Sequence, residues 1–180
     1  MYRIDTLLKL KEKLFHTNDL ALLWGITNKN TLYTTIKRYL QKGILISVHK
    51  GFYSTIPISQ IDPFKLAIGH LHRFAYVSCE TVLIREGIIF QKANYLTLVS
   101  NVSKKFSIAN YSYLVRRLKD SYLYYDRGID NVNGIMTANV ERAVADLLYF
   151  NPEFYFDNKK KIDWKKVKKI QKEVGYYDFT

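Results

Sequence analysis

Gly25 and Gly43 mark two points in the first fifty residues where a helix must stop, and the lengths they leave constrain the fold more than any other feature of this 180-residue chain. Leu20–Trp24 is a short apolar helix that Gly25 closes, because glycine takes up the left-handed conformation of a helix end at no steric cost. Thr17 or Asn18 is the expected cap at its start, and Asp19 suits its positive end. After a tight Ile26-Thr27 turn, Asn28 or Asn30 caps a longer helix running to about Lys42. Leu32, Ile36, Tyr39 and Leu40 recur on one face of that helix, with Tyr33 beside them and Asn30, Thr31, Thr34, Lys37, Arg38 and Gln41 off the stripe. Upstream, Ile4, Leu7, Leu8, Leu14 and Phe15 predict an amphipathic helix over residues 4–15. Downstream, Ile44–Val48, a turn at His49-Lys50-Gly51 and a return over Phe52–Thr55 read as a β-hairpin. Three helices and a hairpin in residues 1–60 describe a winged helix-turn-helix.

Charge sharpens this reading. Residues 1–60 carry nine Lys/Arg against Asp5, Glu12 and Asp19, residues 61–157 carry eleven against ten acids, and residues 158–180 carry eight Lys against three acids. The net charge of +12 therefore sits at the two ends, and a basic terminal domain attracts polyanions. In the major groove each base pair shows a distinct donor and acceptor pattern, so Asn30, Thr31, Thr34 and Lys37 are candidate base readers. Lys29, Arg38 and the turn residue Lys50 are candidate phosphate contacts, and Tyr33 completes the expected DNA-contacting set.

Pro57, Ser59 and Pro63 bracket a connector, beyond which residues 61–180 are expected to form an α/β domain with a smaller sheet, making the chain α+β overall. Asp62-Pro63 starts a helix with Phe64, Ala67, Ile68 and Leu71 buried. Tyr76-Val77 is extended, and Ser78 caps a helix from Cys79 to Glu86 that Gly87 ends. Tyr95–Val99, Phe106–Leu114 and Ser121–Tyr125 are expected strands. Thr137 caps a helix Ala138–Phe150, which Pro152 closes, and a Lys-rich helix Asp163–Val174 turns Trp164, Val167, Ile170 and Val174 inward.

Little in this second half points to catalysis. No phosphate-binding glycine loop of the usual spacing occurs. His70 and His72, two apart on a helix, point to different faces, so neither a metal nor another cofactor is expected. Cys79 reads as a small buried residue, and a lone cysteine excludes an internal disulfide and fits a reducing compartment. Glu141 and Asp146, joined by Asp120 or Asp126, could hold a divalent ion for nuclease chemistry, but Arg142 makes a salt-bridged helix face the simpler reading. The start of the chain lacks the uninterrupted apolar run of a signal peptide, and no stretch approaches the roughly 18 apolar residues of a membrane span, so a cytoplasmic location is expected.

Three stretches resemble the AbiEi family of antitoxins and transcriptional regulators from bacterial abortive-infection systems. They are Leu40-Gln41-Lys42-Gly43-Ile44-Leu45 followed by Lys50-Gly51-Phe52-Tyr53-Ser54; Tyr76–Leu83 followed by Glu86-Gly87-Ile88-Ile89; and Ala138–Tyr149. The resemblance implies a non-enzymatic protein whose winged helix binds inverted repeats in its own promoter. It further implies a C-terminal domain that counters a nucleotidyltransferase-like toxin, AbiEii, without a stable complex. Two other classes remain open on the residues alone: a nuclease that the winged helix delivers to DNA, and a protein-binding winged-helix adaptor.

Overall fold

The computed structural model describes residues 3–176; the side chain of Leu8, assigned above to the first apolar stripe, lies outside the described part. The chain is a mixed α+β protein that divides into two compact units, Met1–His70 and Leu71–Thr180.

The first unit contains α1 (Arg3–Lys9), β1 (Leu14–His16), α2 (Thr17–Trp24), α3 (Lys29–Gln41), β2 (Ile46–His49), β3 (Phe52–Ser54) and the start of α4 (Pro63–Leu71). The helix expected over residues 4–15 stops at Lys9, and Leu14–His16 instead form an edge strand pairing antiparallel with β3, Phe15 opposite Tyr53. The sheet order is β1-β3-β2, a three-stranded antiparallel sheet rather than a bare hairpin. Strand pairing is the reason: Phe15 is 4% exposed there and joins Leu7, Leu20, Trp24, Leu32, Ile36, Tyr39, Leu45 and Tyr53 in one core. The α2 helix starts three residues earlier than expected, with His16 rather than Thr17 or Asn18 at its cap, and the Asp19 carboxylate accepts the His16 backbone N–H at 2.7 Å. Gly25 ends it at φ 61°, left-handed as the sequence requires. The unit runs past residue 60 to take in most of α4, where His16 Nε2 donates to the Gly69 carbonyl at 2.7 Å. A Cβ on Gly69 would lie 3.1 Å from both Leu14 and Phe52, so this helix packs closely on the small sheet.

The second unit contains β4 (Ala75–Val77), α5 (Glu80–Arg85), β5 (Leu96–Ser100), β6 (Lys104–Ile108), β7 (Tyr111–Arg117), α6 (Asp120–Leu123), β8 (Ile129–Val132), β9 (Ile135–Ala138), α7 (Val140–Phe150) and α8 (Trp164–Val174). Its sheet has six strands in the order β6-β7-β5-β4-β9-β8, so the larger sheet lies where a smaller one is expected. Parallel pairs (β5 with β7, β4 with β9) alternate with antiparallel ones. The expected strand Phe106–Leu114 is a hairpin, turned at Ala109 with φ 52°. Ser121–Tyr125, also expected as a strand, lies largely in the short helix α6. The β8–β9 hairpin was not anticipated, although its turn residues Asn133 and Gly134 both take positive φ, as a tight two-residue hairpin demands. Thr137 belongs to β9, and the cap of α7 is Asn139, whose side chain accepts the Arg142 N–H at 2.9 Å. In α8, Val167, Ile170 and Val174 are buried as expected, while Trp164 is 37% exposed.

Candidate nucleic-acid interface

The α3 helix has two chemically distinct sides. Leu32, Thr35, Ile36 and Tyr39 are buried, with the Tyr39 ring edge-on to Trp24 at 5.3 Å. Lys29, Asn30, Thr31, Tyr33, Thr34, Lys37, Arg38 and Gln41 are all exposed, so every candidate residue on this helix reaches solvent. At ~100° per residue, Asn30, Thr34, Lys37 and Gln41 lie near the centre of the exposed arc, with Lys29 and Thr31 at its edges. Gln41 was left out of the candidate set although the same periodicity places it there.

The electrostatics of the helix favour an anion. No carboxylate occurs in α3, and among the described residues no acid pairs with Lys29, Lys37, Arg38 or Lys50. Lys29 sits in the first turn, where the helix dipole already carries partial positive charge, so it adds to the field that draws a phosphate. Arg38 lies 5.7 Å from the Tyr39 ring centroid, which supports its guanidinium without neutralising it. The start of the helix is rigid: Asn28 Oδ1 accepts from the Thr31 N–H at 3.1 Å and from the Thr31 hydroxyl at 3.4 Å. Thr31 therefore spends its hydroxyl proton on the cap, which leaves its methyl and its oxygen lone pairs to a partner.

Lys50 is exposed in the β2–β3 turn. That turn is tied down, because the Gly51 carbonyl accepts from the Thr17 backbone N–H at 3.0 Å and from the Thr17 hydroxyl at 3.3 Å. A β-bulge between Ser47 and His49 disturbs the β2 ladder just before the turn.

The acidic residues of the second unit are arranged differently from a metal site. Asp146 is fully buried and its carboxylate is taken up by protein donors: Arg142 Nε (2.8 Å) and the Tyr176 hydroxyl on Oδ1, the Tyr76 hydroxyl (2.9 Å) and the Ser78 hydroxyl (2.7 Å) on Oδ2. Arg142, also 0% exposed, uses all five N–H groups, the other four reaching the Tyr76 hydroxyl and the carbonyls of Tyr122, Tyr125 and Arg127. The salt bridge foreseen on a helix face is thus the centre of a closed buried network. Glu141 is half-buried, Asp120 and Asp126 are exposed, and Asp146 has no free oxygen to share with them. Burial, with the Asp146 charge beside them, pushes the Tyr76 and Tyr176 hydroxyls well above the ordinary tyrosine range. Burial works against the Arg142 charge, yet Asp146 and the two tyrosines outweigh it and hold the guanidinium more firmly protonated.

Ser78 does not cap α5, since its hydroxyl is committed to Asp146. Cys79 follows at φ 53° and ψ −135°, between a strand and a helix, which is the backbone turn on which hydrolases present a nucleophile. Its thiol is 0% exposed, and burial, then the Asp146 and Glu80 charges, raise it well above the ordinary cysteine range, the reverse of an activated thiolate. Among the described residues no helix is long and apolar enough to cross a membrane. No protein-family model matches the chain, and no curated protein is significantly similar to it.

Proposed function

We propose that the first unit is a winged helix-turn-helix that binds double-stranded DNA, with α3 in the major groove and Lys50 on the wing, and that the chain is a cytoplasmic, non-enzymatic transcriptional repressor of its own promoter. The observation that carries this reading is the two-sided α3: a core-forming side, and opposite it a fully exposed face rich in amide, hydroxyl and basic groups without a single acid. Side chains of those types match base edges and phosphates, and a neutral protein partner would gain nothing from the unopposed charge. The second unit, on this proposal, is the antitoxin part, acting against a nucleotidyltransferase-like toxin without a stable complex; support for that role is the resemblance of Tyr76–Leu83 and Ala138–Tyr149 to the AbiEi family.

Fluorescence anisotropy on the DNA upstream of the reading frame tests the first part. Asn30→Ala should cost the specific site about 1–3 kcal/mol and leave random DNA unaffected. Lys50→Ala should weaken both about equally, and the log–log salt slope should approach roughly 0.9 per phosphate contact. A flat salt dependence, or identical behaviour of the two variants on both DNAs, refutes the placement of α3. Cleavage on adding magnesium would replace the repressor by a nuclease. The antitoxin role fails if co-expression does not restore growth to cells expressing a neighbouring nucleotidyltransferase-like gene.

A further inference from the structure

The second unit holds a cavity that neither the DNA contacts nor the buried arginine network uses. A pocket of about 220 Å³ opens beside α5, β5 and β7, and a second of about 390 Å³ adjoins it, sharing Ile84 and the Lys92–Tyr95 segment. Together they reach the size of a small-molecule site. The walls of the first are Ile84, Leu114, Tyr95 and Phe154, two aliphatic and two aromatic side chains. Glu80 is the sole carboxylate in either lining. One of its oxygens accepts from Arg116 Nη2, which balances the charge; the other, Oε2, is buried and has no hydrogen-bond partner. A buried carboxylate oxygen without a donor is costly, so a donor belongs against it. The rim carries the opposite sign: Lys92 is exposed at the mouth, and Lys105 Nζ stands 5.3 Å from the Tyr95 ring centroid.

We propose that this cavity is a binding site for a small molecule with a flat, N–H-edged body and an anionic end, a nucleoside monophosphate in chemical class. The N–H edge of the base would donate to Glu80 Oε2, its faces would lie against the aliphatic and aromatic walls, and its phosphate would meet Lys92. A simple amine supplies the donor but meets repulsion from Lys92 and leaves the aromatic walls unused. A fatty acid fits the walls and the rim but offers no N–H to Glu80. Guanine, with adjacent N1–H and N2–H groups, suits a lone acceptor oxygen best.

Isothermal titration of the full chain with guanosine monophosphate tests this, with guanosine and inorganic phosphate as the two halves of the ligand. Saturable binding is expected, with each half at least about tenfold weaker than the whole. Glu80→Gln should lower affinity by about tenfold or more. Because that substitution also leaves Arg116 without its counter-charge, the exposed lining residue Ala93 provides a second variant: Ala93→Trp should abolish binding with no change in melting temperature. The proposal is overturned if the wild-type chain shows no saturation at millimolar nucleotide, as when water alone satisfies Oε2. It is also overturned if phosphate alone binds as tightly as the nucleotide, or if Ala93→Trp binds unchanged.

Discussion

Replacing Asp146 by Asn keeps the shape of the side chain and removes its charge, which isolates what the buried network does. Arg142 then keeps a full positive charge at 0% exposure with no carboxylate beside it. Of the four hydrogen bonds that converge on Asp146, from Arg142, Tyr76, Ser78 and Tyr176, the amide nitrogen cannot accept those on its side, so hydroxyl groups lose partners as well. Breaking a buried ion pair from one side costs about 3–5 kcal/mol. With a urea slope of about 2 kcal/mol per M for a domain of this size, the unfolding midpoint of the second unit should fall by roughly 2 M. Arg142→Met should cost a similar amount, since it strands the carboxylate and the Tyr122, Tyr125 and Arg127 carbonyls. The double variant Arg142→Met/Asp146→Leu removes both charges at once and should be far more stable than the sum of the singles. Urea unfolding followed by circular dichroism reads all four corners of this cycle. Single substitutions costing under about 1 kcal/mol, or strictly additive effects, would mean that water reaches the pair and that the network is not what closes this core.

Further outcomes follow from neighbouring features. Gly128 sits at φ +76°, and a Cβ there would come within 2.9 Å of the Arg142 Cβ and 3.0 Å of Asn139 Oδ1, so Gly128→Ala should destabilise by more than about 1 kcal/mol, read by the same urea titration. Alkaline pH should unfold the second unit progressively. Cys79, Tyr76 and Tyr176 have folded values above their ordinary 9.0 and 10.0, so the unfolded chain ionises first and stability, complete below pH 9, is lost as pH rises beyond it. The slope should reach about 1.4 kcal/mol per pH unit for each group, and the Tyr76→Phe variant should show a shallower fall above pH 10. A pH-independent midpoint between 9 and 11 would contradict the burial of these three groups.

Where local chemistry decides conformation, the sequence was sufficient. Gly25 had to end a helix, Asn28 was fit to start one, and the period of Leu32, Ile36 and Tyr39 fixed which face of α3 is buried and therefore which residues face solvent. The β2–β3 hairpin and the inward face of α8 were legible for the same reason: alternation and helical period are properties of a few neighbouring residues. Wherever a partner distant in the chain decides, the sequence fell short. Leu14–His16 fits the end of a helix as well as a strand, and only the backbone of Phe52–Ser54, nearly forty residues on, makes it an edge strand. Ser78 and Thr137 are good capping residues by type, yet one hydroxyl was drawn to Asp146 and the other residue was claimed by β9 pairing. Arg142 and Asp146, one helical turn apart, have the spacing of a solvent-exposed ion pair. Their burial depends on β4, the 122–127 segment and Tyr176 closing round them, and a charged pair is tolerated in a core only when distant groups satisfy every donor and acceptor it brings.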